Sequence, residues 1–496
     1  MLTRRISKKI ARNVPLFLIS LALAFISCEK DNDYENTGGN QQPTFETQEI
    51  VLNVEDYKHQ FIGGGVSIGL FLGHHYSMNE TAQDQAIQMI AKDCNMKYLQ
   101  DYIQIYPVDD PPYFDRRANY VKAAKIYRPE IEFSLVGNKF PDDLLHDITV
   151  NGETLQALNT DDPLIYDRLA QWYFDLFKGF YDRGVSVEIL NVVNEPDLDR
   201  TFRKHHYGLN GDTKEAVARI FKYAVPKFKD LLNNPAVNTT GMQVPLIMGP
   251  STISPAGCID YINFFKSEHP DVWNEIDIVA THQYEYGGNS LLFDDIANSI
   301  EDKRFYQSET HAQRGDDLSY VSVDDPLDAA LSLSNLFSTA VGGGVSSWYY
   351  FENNYPNEFH PGGLLSVPWN AQEPVPYKHY YAFKQLTSTQ PSNSHILGYT
   401  NPINARSDVL AFRKMDQDTL YLNYSNYTNK NREITLIMTD GNSEKFKAGS
   451  YSVITTDENN NEVLTASETF STALDTLRFT VNKFSINTVK ISIEDE

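Results

Sequence analysis

Cysteine is nearly absent from this chain: there are three in 496 residues, at Cys28, Cys94 and Cys258. No Cys-x-x-Cys pair, phosphate loop or glycine-rich dinucleotide fingerprint occurs. Sequence grounds for a zinc ribbon, a dithiol redox centre or a bound nucleotide are therefore lacking. The histidines His74-His75 and His205-His206 are adjacent pairs, without the i, i+4 spacing of a helical metal site. No metal and no cofactor are expected. Basic residues are in short supply as well, with 42 Lys and Arg against 66 Asp and Glu and a net charge of −24. That balance excludes nucleic acid or another polyanion as a main partner. The N-terminal apolar run, Leu16 to Ile26, is too short to span a bilayer.

That run follows Arg4, Arg5, Lys8, Lys9 and Arg12, the order of a secretory signal. Ala24-Phe25-Ile26-Ser27-Cys28 resembles a bacterial lipobox, which implies cleavage before Cys28 and lipidation of its thiol. An ordinary signal peptide followed by a free cysteine is the alternative. Beyond it, Glu29-Lys30-Asp31-Asn32-Asp33-Tyr34-Glu35 and the Gly, Gln and Pro residues that follow have too little apolar surface for a core. They read as a flexible tether. An acidic run behind a lipidated cysteine also resembles the surface-export signal of lipoproteins from Bacteroidetes. The expectation is a protein on the outer membrane, at the cell surface, held by its lipid alone. Whether Cys94 and Cys258 pair is open, as is the oligomeric state.

What the chain does have is alternation. Strand-like runs fall at Gln60–Ser67, Met96–Ile105, Ile131–Gly137, Val185–Val193, Val244–Gly249, Ile276–His282, Arg304–Ser308 and Val345–Phe351. Amphipathic stretches intervene, among them Thr81–Lys92, Pro163–Arg183, Lys214–Leu232 and Asp328–Thr339. Eight such repeats predict an α/β fold, a (β/α)₈ TIM barrel, rather than an open doubly wound sheet. From about His395 the pattern changes to short alternating strands with polar turns, which reads as a β-sandwich side domain. The expected division is a signal peptide over 1–27, a tether over 28–46, a catalytic barrel over 47–392 and a sandwich over 393–496. The run Glu49–Val54 is expected to join the sandwich, which is read as a brace for the barrel.

Two of the predicted barrel strands deliver a glutamate at their C-terminal ends. Glu195 stands in Val192-Val193-Asn194-Glu195-Pro196 and Glu309 in Tyr306-Gln307-Ser308-Glu309-Thr310. Paired carboxyls suit glycosidic bond cleavage, one protonating the leaving oxygen and the other capturing or stabilising the positive centre from the opposite face. Either motif alone also fits a solvated residue at a strand end.

Taken together, an acid/base glutamate preceded by asparagine after strand four and a second glutamate after strand seven resemble the retaining glycoside hydrolases of clan A. Phe61-Ile62-Gly63-Gly64-Gly65-Val66-Ser67 and the final run Phe484–Ile491 are similar to glycoside hydrolase family 30 within that clan. The resemblance implies Glu195 as acid/base, Glu309 as nucleophile and a glycan substrate. It also carries two departures. Gly64 replaces an aromatic, which is expected to widen the base of the pocket, and Gln100-Asp101 stands where the clan carries an arginine that supports the nucleophile.

Around this pair, Asn194 is positioned to hydrogen-bond a sugar 2-hydroxyl. His282 and Tyr284 are candidates to hold Glu309 ionised, and Trp348 offers a flat face for a pyranose ring. Tyr286, Tyr355 and Trp369 are candidates for outer subsites. The basic cluster Arg203-Lys204-His205-His206 reads either as a solvated loop or as a contact for an acidic sugar. A second function class stays open, a non-catalytic glycan-binding lipoprotein on the same scaffold.

Overall fold

The computed structural model describes residues 46–103, 111–150, 152–198, 205–209, 213–284, 290–312, 325–388, 393–400, 409–414, 418–440 and 447–494. The signal, lipobox and tether expectations, Cys28 included, fall outside them, as do Tyr286, Arg203 and Lys204. Among the described residues, no helix is long and apolar enough to cross a membrane.

Eight parallel strands close into a barrel: Gly63–Ser67, Tyr98–Tyr102, Glu132–Val136, Ile189–Asn191, Leu246–Thr252, Ile278–His282, Arg304–Glu309 and Ser347–Tyr350. Closure is made where Ser347 to Tyr350 pair with Gly63 to Val66. Each expected run supplies one strand, because a strand buried on both faces must be apolar nearly throughout and so stands out from the amphipathic helices between. Two expected helices contain a π turn, Thr81–Lys92 over Met89–Asp93 and Lys214–Leu232 over Ile220–Ala224. The second ends two residues before Pro226, whose missing N–H cannot donate to the preceding turn.

The barrel interior is plugged at its N-terminal end by Tyr98, Tyr306 and Tyr349, packed with Ile189, Met248, Ile278 and Ala280. Tyr98 and Tyr306 share a 2.9 Å hydrogen bond between their hydroxyls. Gly65 makes room for this plug, since a Cβ there would lie 2.5 Å from the Tyr349 ring. Gly64 points the other way, toward Thr387 and Met96. Its lost side chain therefore belongs to the helical layer, and the expected widening of the pocket is corrected by strand alternation.

Residues Glu46–Phe61 form the first strand of the chain, and it lies in a second, nine-stranded sheet. There it pairs antiparallel with Ser394–Thr400 and parallel with Arg432–Thr439. Strands near opposite ends of this sheet's order meet, the Tyr451 and Phe479 rings lying 6.1 Å apart. The sheet thus folds over its own core of Ile50, Leu52, Val409, Leu422, Leu436 and Val489 among others. Cys94 and Cys258 are both buried free thiols.

Candidate active site

The C-terminal ends of three barrel strands converge on one group. Tyr102, His282 and Glu309 are each the last residue of their strands. His282 and Glu309 are direct neighbours across the pairing of strands six and seven. Glu195 lies four residues beyond strand four and reaches the same place through a strained turn. Its φ of 44° is left-handed, and its N–H donates to the carbonyl of Ser251 at 2.7 Å. Strain of this kind persists only where the surroundings hold it.

Oxygens of Glu195 and Glu309 and a ring nitrogen of His282 all lie within 4.8 Å of one another. His282 Nδ1 is 3.0 Å from Glu195 Oε1, and Nε2 is 3.8 Å from Glu309 Oε2. Burial opposes charge on this imidazole, but the two glutamates outweigh it and hold its pKa above the ordinary value. Glu309 is 7 % exposed, and burial raises its pKa, with His282 opposing and Glu195 adding to the rise. Tyr284 donates to Glu309 Oε1 at 2.7 Å, and Tyr102 donates to Oε2. Both Glu309 oxygens thus accept from a phenol, and Glu195 is paired with the imidazole.

Asn194 is buried beside the pair. Its Nδ2 lies 3.3 Å from Asn138 Oδ1, and its own Oδ1 has no partner among the described residues. The Tyr207 hydroxyl clamps the Asn194 backbone, accepting from its N–H and donating to its carbonyl. Asp197 sits just beyond, accepting from the Ile253 N–H at 2.8 Å. Burial pushes its carboxyl up to about 6.

Trp348 is not at this site. It is fully buried between Phe337, Tyr350 and Phe383 on the helical side of strand eight. Its indole N–H donates to Gln283 Oε1 at 3.3 Å. The inward positions of that strand belong to Ser347 and Tyr349, so alternation leaves Trp348 no face for a sugar. Trp369 is 64 % exposed, while Tyr355 is half-buried with its ring stacked on His360 at 3.5 Å. His206 is buried.

Tyr102 and Glu352, like Asp197 and Tyr207, were not singled out by the sequence. Tyr102 was legible only as one residue in an apolar run, although its spacing from Tyr98 and Gln100 marks one face of a strand. Asp101, between them, points outward to a buried ion pair with Arg117. Of the Gln100-Asp101 pair that stands where an arginine was expected, Asp101 is thus turned away from the site and Gln100 faces inward. Glu352, just past strand eight, is fully buried and accepts from the N–H groups of Leu70 and Phe71 at 2.9 and 3.0 Å, tying down the loop after strand one.

No protein-family model matches the chain, and no curated protein matches it by sequence. Solved structures do match by shape. A family 30 endoxylanase from Clostridium papyrosolvens superposes with a TM-score of 0.67 at 14% identity, covering 90% of this chain and 100% of that one. A conserved exported protein from Bacteroides fragilis gives 0.68 at 12% identity, with 89% and 99% covered. An endo-β1,6-glucanase gives 0.61 at 13% identity, with 90% and 94% covered. The fold shared with these structures is a parallel eight-stranded barrel with a strand-rich side domain.

Proposed function

We infer that the protein is a retaining glycoside hydrolase, cleaving β-glycosidic bonds of a polysaccharide or oligosaccharide at the cell surface. The observation that carries this reading is the approach of Glu195 and Glu309 to within 4.8 Å at the barrel mouth, where one imidazole reaches both. Retaining pairs stand about 5–5.5 Å apart, whereas inverting pairs leave roughly 6.5–9.5 Å for a water. The likeness to an endoxylanase and an endo-β1,6-glucanase supports a β-linked glycan as substrate.

The chemistry divides between the two acids. Glu309 attacks the anomeric carbon as Glu195 gives its proton to the leaving oxygen, so one C–O bond breaks as another forms. His282 touches both carboxyls and is suited to holding each in turn as the proton moves. Asn194, next to the acid, is suited to hydrogen-bonding the sugar 2-hydroxyl. In the second step Glu195 takes a proton from water, which displaces Glu309 and restores the original configuration.

A panel of plant, algal and fungal polysaccharides, scored for reducing ends, tests the activity. Replacing each acid then tests its role. On a substrate with a good leaving group, Glu195→Ala should form the intermediate and stall, with azide restoring turnover to a product of retained configuration. Glu309→Gly should give an inverted glycosyl azide. The opposite stereochemistry would exchange the assignments, and an inert wild type that still binds glycans would favour a binding protein.

A further inference from the structure

Gln100 and Tyr102 face the same side of strand two, two residues apart, and both are buried. Gln100 Nε2 donates to the Ser308 carbonyl at 3.0 Å and lies 3.1 Å from the Tyr102 hydroxyl. A main-chain carbonyl only accepts, so the amide must turn its nitrogen, not its oxygen, toward Ser308. The same nitrogen then faces the phenol. An amide nitrogen only donates, so the phenol oxygen accepts there, as it does from Ser67, and its single proton is left for Glu309 Oε2. Ser308 immediately precedes Glu309, so one amide fixes both the strand that carries the carboxylate and the donor that meets it.

We propose that Tyr102 is a positioning residue for the nucleophile, a phenol that Gln100 obliges to donate, fixing Glu309 in place and favouring its carboxylate form where the strand brings no cation. This rests on the reading of Glu309 as nucleophile. Among the described residues, the groups acting on Glu309 are His282, Glu195, Tyr102 and Tyr284, with Glu352 further out. Two like charges and burial work against ionisation, and His282 is shared with Glu195. The phenols are the donors committed to Glu309, one to each oxygen. A hydrogen bond to a charged group favours that charged form, and its loss raises the carboxyl's pKa.

The test needs no substrate. Carbon-13 labelling of glutamate side chains, with the Glu309→Gln spectrum identifying the resonance by difference, follows the Glu309 carboxyl through a pH titration. Tyr102→Phe keeps the ring and removes the proton, and should raise the Glu309 midpoint by about one pH unit or more. Gln100→Met keeps the volume and frees the phenol to point elsewhere, and should raise it by less. An unchanged midpoint in Tyr102→Phe, with the far-ultraviolet circular dichroism of the wild type, would overturn the proposal whether or not the protein hydrolyses glycans. If the wild type does turn over an aryl glycoside, the acid limb of its kcat/KM profile should move by the same interval. A lower kcat with an unmoved limb would mean that Tyr102 only packs.

Discussion

At the scale of single residues, the site concentrates negative charge in a buried place, and titration exposes the cost. Asp197 illustrates it, since burial holds its carboxyl at about 6, against roughly 3.9 in an unfolded chain. Between those values Asp197 holds more protons in the folded protein than in the unfolded one, so its own contribution to stability is greatest below about pH 4 and is lost as pH rises toward 6. Asp197→Asn keeps an oxygen for the Ile253 N–H and cannot ionise. Its stability relative to the wild type should therefore climb across that interval and level off above it, by at most roughly 3 kcal/mol. Urea midpoints at pH 4, 5, 6 and 7 measure this directly, and parallel curves would show that Asp197 titrates normally. The glutamate pair was legible in the sequence because each stands at the end of a buried run. Asp197 was not, since only the fold brings the Ile253 N–H and the glutamate pair around it.

At the scale of elements, the eight strands were legible because burial on both faces leaves an apolar signature. Which side of a strand faces the pocket is a matter of phase, and a run such as Ser347-Trp348-Tyr349-Tyr350 carries large side chains on both sides. Trp348 was assigned to the wrong one. Its position makes it a core residue, so Trp348→Ala should cost about 3–5 kcal/mol in urea denaturation. Trp369 is the opposite case, an aromatic left outside the core. Its loop is pinned to the helix Leu72–Ser77, the Asn370 N–H donating to Ser77 Oγ at 2.8 Å, and His74 meets the indole edge-on at 5.3 Å. A ring so held yet 64 % exposed is ready to stack on sugar, so Trp369→Ala should change stability by under about 0.5 kcal/mol. In affinity electrophoresis on a polysaccharide that the wild type is found to bind, the same variant should migrate faster through the gel than the wild type. Equal retardation would remove Trp369 from the substrate path.

At the scale of the whole molecule, the strand-rich character of the C-terminal region was legible as a change of pattern, but its joint with the barrel was not, because buried polar residues at an interface have no period. From Thr44 to Glu496 the chain forms one compact unit. A single core cluster runs from the barrel helices into the side sheet, taking in Phe61, Phe337, Leu410, Phe412 and Ile486. Gln385, on the helix Lys378–Ser388, is fully buried at this joint. It donates to the carbonyls of Ile454 and Ile486, both at 3.0 Å, and accepts from Thr456 Oγ1 at 2.8 Å. The tether is a separate matter: if Cys28 carries the lipid, Cys28→Ala should leave activity intact and move the protein from the membrane fraction to the soluble one. The joint, in contrast, should govern folding. Removing Gln385 takes a partner from two carbonyls and a hydroxyl at a buried interface, and a buried polar group left without any partner costs about 1–3 kcal/mol. Gln385→Leu should therefore destabilise by at least roughly 2 kcal/mol. The barrel and the side sheet share one apolar core, so the wild type should unfold in one calorimetric transition, with the sheet lending stability that the barrel lacks alone. Two resolved transitions, with Gln385→Leu lowering neither, would make the side sheet an independent module rather than a brace.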